Sequence, residues 1–185
     1  MARRSARDVR EAPVYTASEA GRYLQLPPST VRAWTFGQRY GKGTTASAFQ
    51  PVIEPANRET RRLSFLNLIE LLVLAAIRRK RVISLPQVRR ELLDAYLRCV
   101  ERDDCGVPVK LYLPSLKPSS VERGVIVIDP RISFGRPVLD GTGIRTEVIV
   151  DRFRAGEPID SLVLDYGRSR EEIEAVVRSE LAAAA

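Results

Sequence analysis

The first stretch of the chain with a regular apolar spacing predicts two short helices joined by a tight turn. Thr16 and Glu19 form a capping-box pattern, after which apolar residues recur at helical spacing as far as Leu24. Pro27 interrupts this helix, and a second helix is predicted over 28–34 because it begins with proline. Two short helices around a tight turn indicate a helix-turn-helix, although an ordinary helical hairpin shows the same pattern.

The segment 37–62 is rich in glycine at its start. Two short runs, 49–53 and 61–63, are predicted to pair as strands. Basic residues are spread through this segment. A basic hairpin that directly follows a recognition helix is a wing, which lies along the DNA backbone. The residues expected to contact phosphates from the wing are Arg39, Lys42, Arg58, Arg61 and Arg62.

Two longer helical patterns follow. The first begins near Ser64, runs for about 15 residues and ends in the basic cluster 78–81. That cluster suits two roles equally, a contact with DNA or compensation of the helix dipole. The second helix begins with a capping box at 84–87 and extends to about Val100, with Cys99 on its core side.

Beyond residue 103 the pattern changes. Residues 107–113 alternate like a strand, and the prolines and serines that follow are typical of a linker. Strands are predicted at 124–128 and 136–139. Three short helices then complete the chain, at about 146–155, at about 159–166 and from a capping box of Ser169 and Glu172 onward. The predicted fold class is therefore mainly α with small β elements. It combines a winged helix-turn-helix with a C-terminal β-hairpin and trihelical domain that is helix-turn-helix-like in outline.

These patterns divide the chain into four segments. They are a flexible basic tail (1–13), a winged helix-turn-helix domain (14–102), a linker with a short strand (103–123) and a C-terminal domain for dimerisation or partner binding (124–182).

Charge is distributed unevenly between the two parts of the chain. The formal net charge is +7, but residues 1–110 carry 20 Lys and Arg against 11 Asp and Glu, whereas the remainder carries 10 against 12. The first part can therefore neutralise phosphates, and the second gains nothing from them. No apolar run approaches the roughly 20 residues that cross a bilayer, and no signal-peptide pattern is present. We expect a cytoplasmic protein with no membrane partner.

The chain lacks the residue types of common catalytic and metal sites. It has no histidine, which removes the commonest general base, and two cysteines fall short of a four-ligand zinc site. The cysteines are expected to be free thiols. We therefore expect no enzyme, no metal, no cofactor and no small-molecule ligand.

The start of the second helix is the predicted reading surface. Arg32 is the best candidate for a contact with a guanine edge, while a phosphate contact or a solvated side chain is equally compatible with the sequence. Trp34 is expected in the core. The residues predicted to face the major groove are Ser29, Thr30, Arg32 and Ala33.

The ordered motifs resemble two known families. The runs 15–20, 29–34 and 61–64 resemble the MerR-like winged helix-turn-helix group. The run 128–144, followed by 153–159 and 166–173, is similar to the domain-of-unknown-function 433 found in bacterial antitoxins. Gly143 stands where that pattern has arginine, although Arg145 is close by. Together the two parts resemble VapB-type antitoxins of type II toxin-antitoxin systems.

The resemblance implies a homodimer that neutralises a PIN-like ribonuclease toxin by direct binding and represses its own operon by binding double-stranded operator DNA. The alternative is a stand-alone MerR-like regulator with a C-terminal dimerisation or ligand-sensing domain. The arginines that could block the toxin are Arg131, Arg136, Arg145, Arg152 and Arg154. The strand edge expected to mediate dimerisation or toxin docking is Val125, Ile126, Val127 and Ile128.

Overall fold

The structure is a computed structural model that describes residues 8–40, 47–79, 99–113 and 124–182. The chain forms two compact units, Met1–Tyr96 and Leu97–Ala185. Helices dominate the described parts, with a small antiparallel sheet in each unit, so the predicted fold class is confirmed. The predicted capping box at 84–87, Lys42 and most of the predicted basic tail lie outside the described residues.

The helix-turn-helix consists of α1 (Ala17–Leu24) and α2 (Pro28–Phe36). The predicted capping box is confirmed, because the Glu19 amide donates to Thr16 Oγ1 at 3.1 Å and the Thr16 amide donates to Glu19 Oε2 at 2.8 Å. The helix ends at Gln25 in the left-handed conformation. A Cβ on Gly21 would lie 2.7 Å from the carbonyl oxygen of Leu26. The turn therefore needs glycine at this position.

The wing is a two-stranded antiparallel hairpin of β1 (Gln38–Tyr40) and β2 (Ser47–Phe49). The predicted pairing of 49–53 with 61–63 is wrong. The amides of Val52 and Ile53 both donate to the carbonyl of Trp34, and Leu63 pairs with Tyr15 instead. Alternation along a short run indicates an extended chain but carries no information about its partner.

The helix α3 (Phe65–Arg79) begins where a helix was predicted. Ser64 and Asn67 satisfy each other's backbone amides at 3.2 and 3.0 Å. The Asn67 side chain also accepts from the amide of Ala56 and donates to the carbonyl of Glu54. It therefore fixes the segment after the wing to the start of α3. One face of α3 is buried in the core of this unit, through Leu68, Leu71, Leu72 and Ala75.

The second unit contains a four-stranded antiparallel sheet in chain order, formed by β3 (Val100–Arg102), β4 (Pro108–Tyr112), β5 (Ile126–Ile128) and β6 (Val138–Leu139). Three helices follow as predicted, namely α4 (Thr146–Arg154), α5 (Ile159–Tyr166) and α6 (Arg170–Ala182). Among the helices that the structure describes, none has the length and apolar character needed to cross a membrane.

Two expectations about this sheet differ from the structure. The strand assigned to the linker 103–123 pairs with β5, and its residues Leu111 and Tyr112 are buried, so β4 belongs to the second unit. The division between the units falls after Tyr96 instead. The predicted dimer edge is also wrong, because β5 lies between β4 and β6 and both of its edges are occupied. The residues of that predicted edge are Val125, Ile126, Val127 and Ile128.

Candidate nucleic-acid interface

The outward face of α2 is set by the two residues that it buries. Val31 and Thr35 are fully buried. The buried Thr35 hydroxyl has a hydrogen-bond partner, because it donates to the carbonyl of Val31 at 2.8 Å. Ser29 and Arg32 are exposed, with Thr30 and Ala33 partly exposed beside them. The four residues predicted to read the groove therefore lie on the part of α2 that remains accessible.

Arg32 extends from this face toward α1. One guanidinium nitrogen lies 3.4 Å from the Ser18 hydroxyl, which orients the side chain without neutralising it. Among the described residues no carboxylate forms an ion pair with Arg32, so its charge remains available to a base edge or a phosphate. Trp34 is only partly buried, and its ring faces a cation.

That cation is Arg78, near the end of α3. Its Nη1 donates to the hydroxyl of Thr30 at 3.1 Å, and its guanidinium lies 5.7 Å from the centre of the Trp34 ring. The sequence left open whether the basic cluster 78–81 reaches toward the DNA-binding surface. The structure places the Arg78 side chain against α2, which adds a second positive charge to that surface. Sequence reasoning missed this contact because the two partners are 48 residues apart.

The wing candidates divide into two groups, and the first is held within the chain. Arg58 makes two hydrogen bonds to Glu54, at 2.8 and 2.7 Å, and these lower the pKa of the Glu54 carboxyl and raise the pKa of Arg58. Arg62 donates to the carbonyl of Val14 at 3.0 Å and lies 4.0 Å from Glu19. Both side chains would have to exchange these partners for a phosphate.

The second group is directed outward. Arg39 is exposed on β1 of the wing. Arg61 is exposed as well, and its guanidinium lies 4.7 Å above the ring of Phe36, at the end of α2. The backbone of Arg61 has φ +52°, a conformation that residues other than glycine rarely adopt. These two residues, with Arg32 and Arg78, supply cations along α2 and the wing that follows it.

The arginines expected to block a toxin are also unequal. Arg152 is enclosed by its own unit, because it binds Glu157 and Asp165 and covers the ring of Tyr166 at 5.2 Å. These partners raise the pKa of Arg152, and its hydrogen bonds lower the pKa of the Glu157 carboxyl. The arrangement is that of a structural clamp.

The other four candidates lie in the segments before and after β6 and at the end of α4. Arg131 pairs with the buried carboxylate of Asp129 at 3.2 Å, and Arg154 lies 3.7 Å from Asp151. Arg136 is half-buried, and Arg145 is exposed directly before α4. In the part of the chain that the structure describes, no group of three or more acidic or cysteine side chains is placed to hold a metal ion.

The fold and this surface define a helix-turn-helix protein, and comparison with known families agrees. Residues 13–92 match the family described as "Putative DNA-binding HTH domain", and residues 126–178 match "Protein of unknown function (DUF433)". The chain is 24% identical over 224 aligned residues to the "Putative antitoxin VapB45" of Mycobacterium tuberculosis, a match that covers 88% of this chain and 92% of the relative.

A solved structure has the same fold. The X-ray crystal structure of Rv2018 from Mycobacterium tuberculosis matches with a TM-score of 0.63 at 20% identity, over 90% of this chain and 97% of that chain. The predicted resemblance to VapB-type antitoxins with a helix-turn-helix is therefore confirmed. The comparisons point to a non-enzymatic protein.

Proposed function

We propose that this chain is the antitoxin of a type II toxin-antitoxin system, which silences a PIN-like ribonuclease toxin by direct binding and represses its own operon as a DNA-bound homodimer in the cytoplasm. The observation that carries the DNA-binding part is the accessible face of α2, where Arg32 and Arg78 present charge beside small polar side chains. The similarity to an antitoxin supports the toxin-binding part.

On DNA, α2 enters the major groove, which is wide enough for one helix. Ser29, Arg32 and Ala33 face the base edges, while Arg39 and Arg61 contact the phosphates on either side. Phosphate contacts fix the position of the protein, and contacts with base edges provide the sequence specificity. Arg78 joins Arg39 and Arg61 as a phosphate-contacting residue, because its guanidinium is held against Thr30 and Trp34.

On the toxin, an arginine of the second unit enters the acidic cleft in which a PIN-like nuclease binds metal. A guanidinium pairs with carboxylates through a fixed fork of donors. Arg145 is the best suited of the five candidates, because it is exposed and has no ion pair among the described residues. Arg152 is the least suited, since withdrawing it would leave Glu157 and Asp165 without their partner.

Binding to the DNA upstream of its own gene is expected to weaken steeply with salt. If Arg39, Arg61 and Arg78 of each chain contact phosphates, a dimer gives a log-log slope of about −5, because each contact contributes about 0.9. Arg39→Ala should reduce the magnitude of the slope by about 0.9 per chain. Arg58→Ala, whose charge is paired with Glu54, should leave it unchanged. A slope near zero would remove the electrostatic basis of the proposed interface.

Co-expression with the neighbouring gene tests the toxin-binding part. We expect a neighbouring PIN-like reading frame whose product co-purifies with this chain and loses ribonuclease activity in the complex. The measurement is RNA cleavage by the free product and by the purified complex. If the product of that gene does not bind, or remains active when bound, the alternative of a stand-alone regulator is favoured.

A further inference from the structure

An aromatic side chain is displayed to solvent on a turn of unusual backbone conformation in the second unit. Ser133, Phe134 and Gly135 are consecutive residues with positive φ, at +48°, +56° and +74°. Only glycine adopts this region freely, and a bulky residue there is an outlier. The Phe134 side chain is 90% exposed, more than any other large hydrophobic residue in the described parts of the chain.

The turn is fixed to the body of its unit on both sides. Ile132 packs against the buried cluster of Tyr112, Val127 and Val138. The amide of Ile132 donates to the carbonyl of Asp129, and the amide of Gly135 donates to the carbonyl of Ile132. The Ser133 hydroxyl donates to the carbonyl of Gly143 at 3.3 Å. The turn therefore holds Phe134 in a defined position that points outward, and its ring is not packed in the core of the unit.

Arginines border this turn. Arg131, whose side chain is 62% exposed, precedes it, and Arg136 follows it. The contact between Ser133 and Gly143 brings the segment that ends at Arg145 to the same turn. Arginine and the aromatic residues, phenylalanine included, are enriched at protein interfaces relative to the rest of the protein surface. Strained backbone conformations are typical of functional sites, where a binding event uses the fixed geometry.

We propose that Phe134 is the anchor of a protein-docking surface, and that its partner has an apolar pocket bordered by carboxylates. The pocket takes the ring, and the carboxylates pair with Arg145, which is exposed and has no ion pair among the described residues. This inference rests on the proposed function, in which the partner is the toxin. The charge of the surrounding arginines favours such an acidic partner over a second copy of this chain, whose formal net charge is +7.

The test uses the full chain with Phe134→Asn, because asparagine removes the ring and adopts the left-handed conformation more readily. Leu164→Asn is the matched control, since Leu164 is 82% exposed on α5 and has ordinary helical geometry. The dissociation constant for the PIN-like product of the neighbouring gene is measured by calorimetry. We expect Phe134→Asn to weaken binding at least tenfold with an unchanged or higher melting temperature, and the control to weaken it less than twofold.

The outcomes separate the inference from the proposed function. If the wild-type chain does not bind the neighbouring product, both the proposed function and this inference fail. If the wild type binds and Phe134→Asn binds equally well, only the inference fails. Sedimentation of each variant provides a further check, because loss of the dimer on Phe134→Asn with unchanged toxin binding would show that a second copy occupies the surface, which overturns the proposal.

Discussion

Replacing Arg32 with alanine is expected to lower the affinity for operator DNA by about 5- to 150-fold, because a bidentate contact between arginine and guanine contributes about 1–3 kcal/mol of discrimination. The guanidinium stands on the accessible face of α2, oriented by the Ser18 hydroxyl and without an ion pair among the described residues. The measurement is a titration of the upstream DNA at constant salt. The matched control is Arg58→Ala, which removes an arginine already bound to Glu54 and should change affinity little.

Arg32→Lys distinguishes a base contact from a phosphate contact. Lysine keeps the charge but lacks the planar fork of donors that matches guanine. If Arg32 reads a guanine, the lysine variant should bind nearly as weakly as the alanine variant, and substitution of that guanine should not weaken its binding further. Recovery of affinity by lysine, with specificity retained, would assign Arg32 to the phosphates. Equal binding by all three proteins would show that the side chain is merely solvated.

Replacing Gly21 with valine is expected to destabilise the N-terminal unit by about 1–3 kcal/mol, the usual range for overpacking a well-packed site. The added Cβ would lie 2.7 Å from the carbonyl oxygen of Leu26, and backbone in a tight turn cannot move away easily. DNA binding should fall as well, since the displaced turn carries α2. The measurement is thermal unfolding, where about 4–8 °C corresponds to 1 kcal/mol in a domain of 60–100 residues.

Gly143→Val is the control for Gly21. Gly143 has nothing within 4 Å of the position where its Cβ would lie, and it lies on an exposed turn. Its substitution should leave the melting temperature within about 1 °C, because the added side chain meets open space and the backbone carbonyl that accepts from Ser133 is kept. If Gly21→Val unfolds at the same temperature as the wild type, the close approach of α1 to the turn is not a constraint on the sequence.

Local pattern predicted much of this fold because the relevant interactions are local. The capping boxes at Thr16 and Ser169 start helices where expected, since the hydroxyl and the carboxylate that form each box are three residues apart. The inward face of α2 was predicted only in part, because Val31 is buried as its spacing indicates, whereas Trp34, expected in the core, is only partly buried and Thr35 is buried instead. The predicted bounds of α5, 159–166, also agree with the observed helix Ile159–Tyr166, because the residues that begin and end a helix are local in the sequence.

Pairings between distant segments could not be predicted in the same way. A strand at 124–128 was expected to offer a free edge, yet β5 is enclosed by β4 and β6. A run of β-branched residues indicates a buried strand but does not identify the strands on either side of it. The contact of Arg78 with Thr30 and the pairing of Leu63 with Tyr15 are of the same kind, since both join segments 48 residues apart.

The helix-turn-helix and its basic surroundings were therefore determined by the sequence itself, through capping residues, helical spacing and the uneven distribution of charge. Only the tertiary structure decided which cations are available. Arg58, Arg62 and Arg152 are held by partners within the chain, whereas Arg32 and Arg145 have no ion pair among the described residues. The physical reason is that an arginine can be neutralised by any carboxylate that folding brings close to it. The separation of the two residues along the chain does not identify that carboxylate.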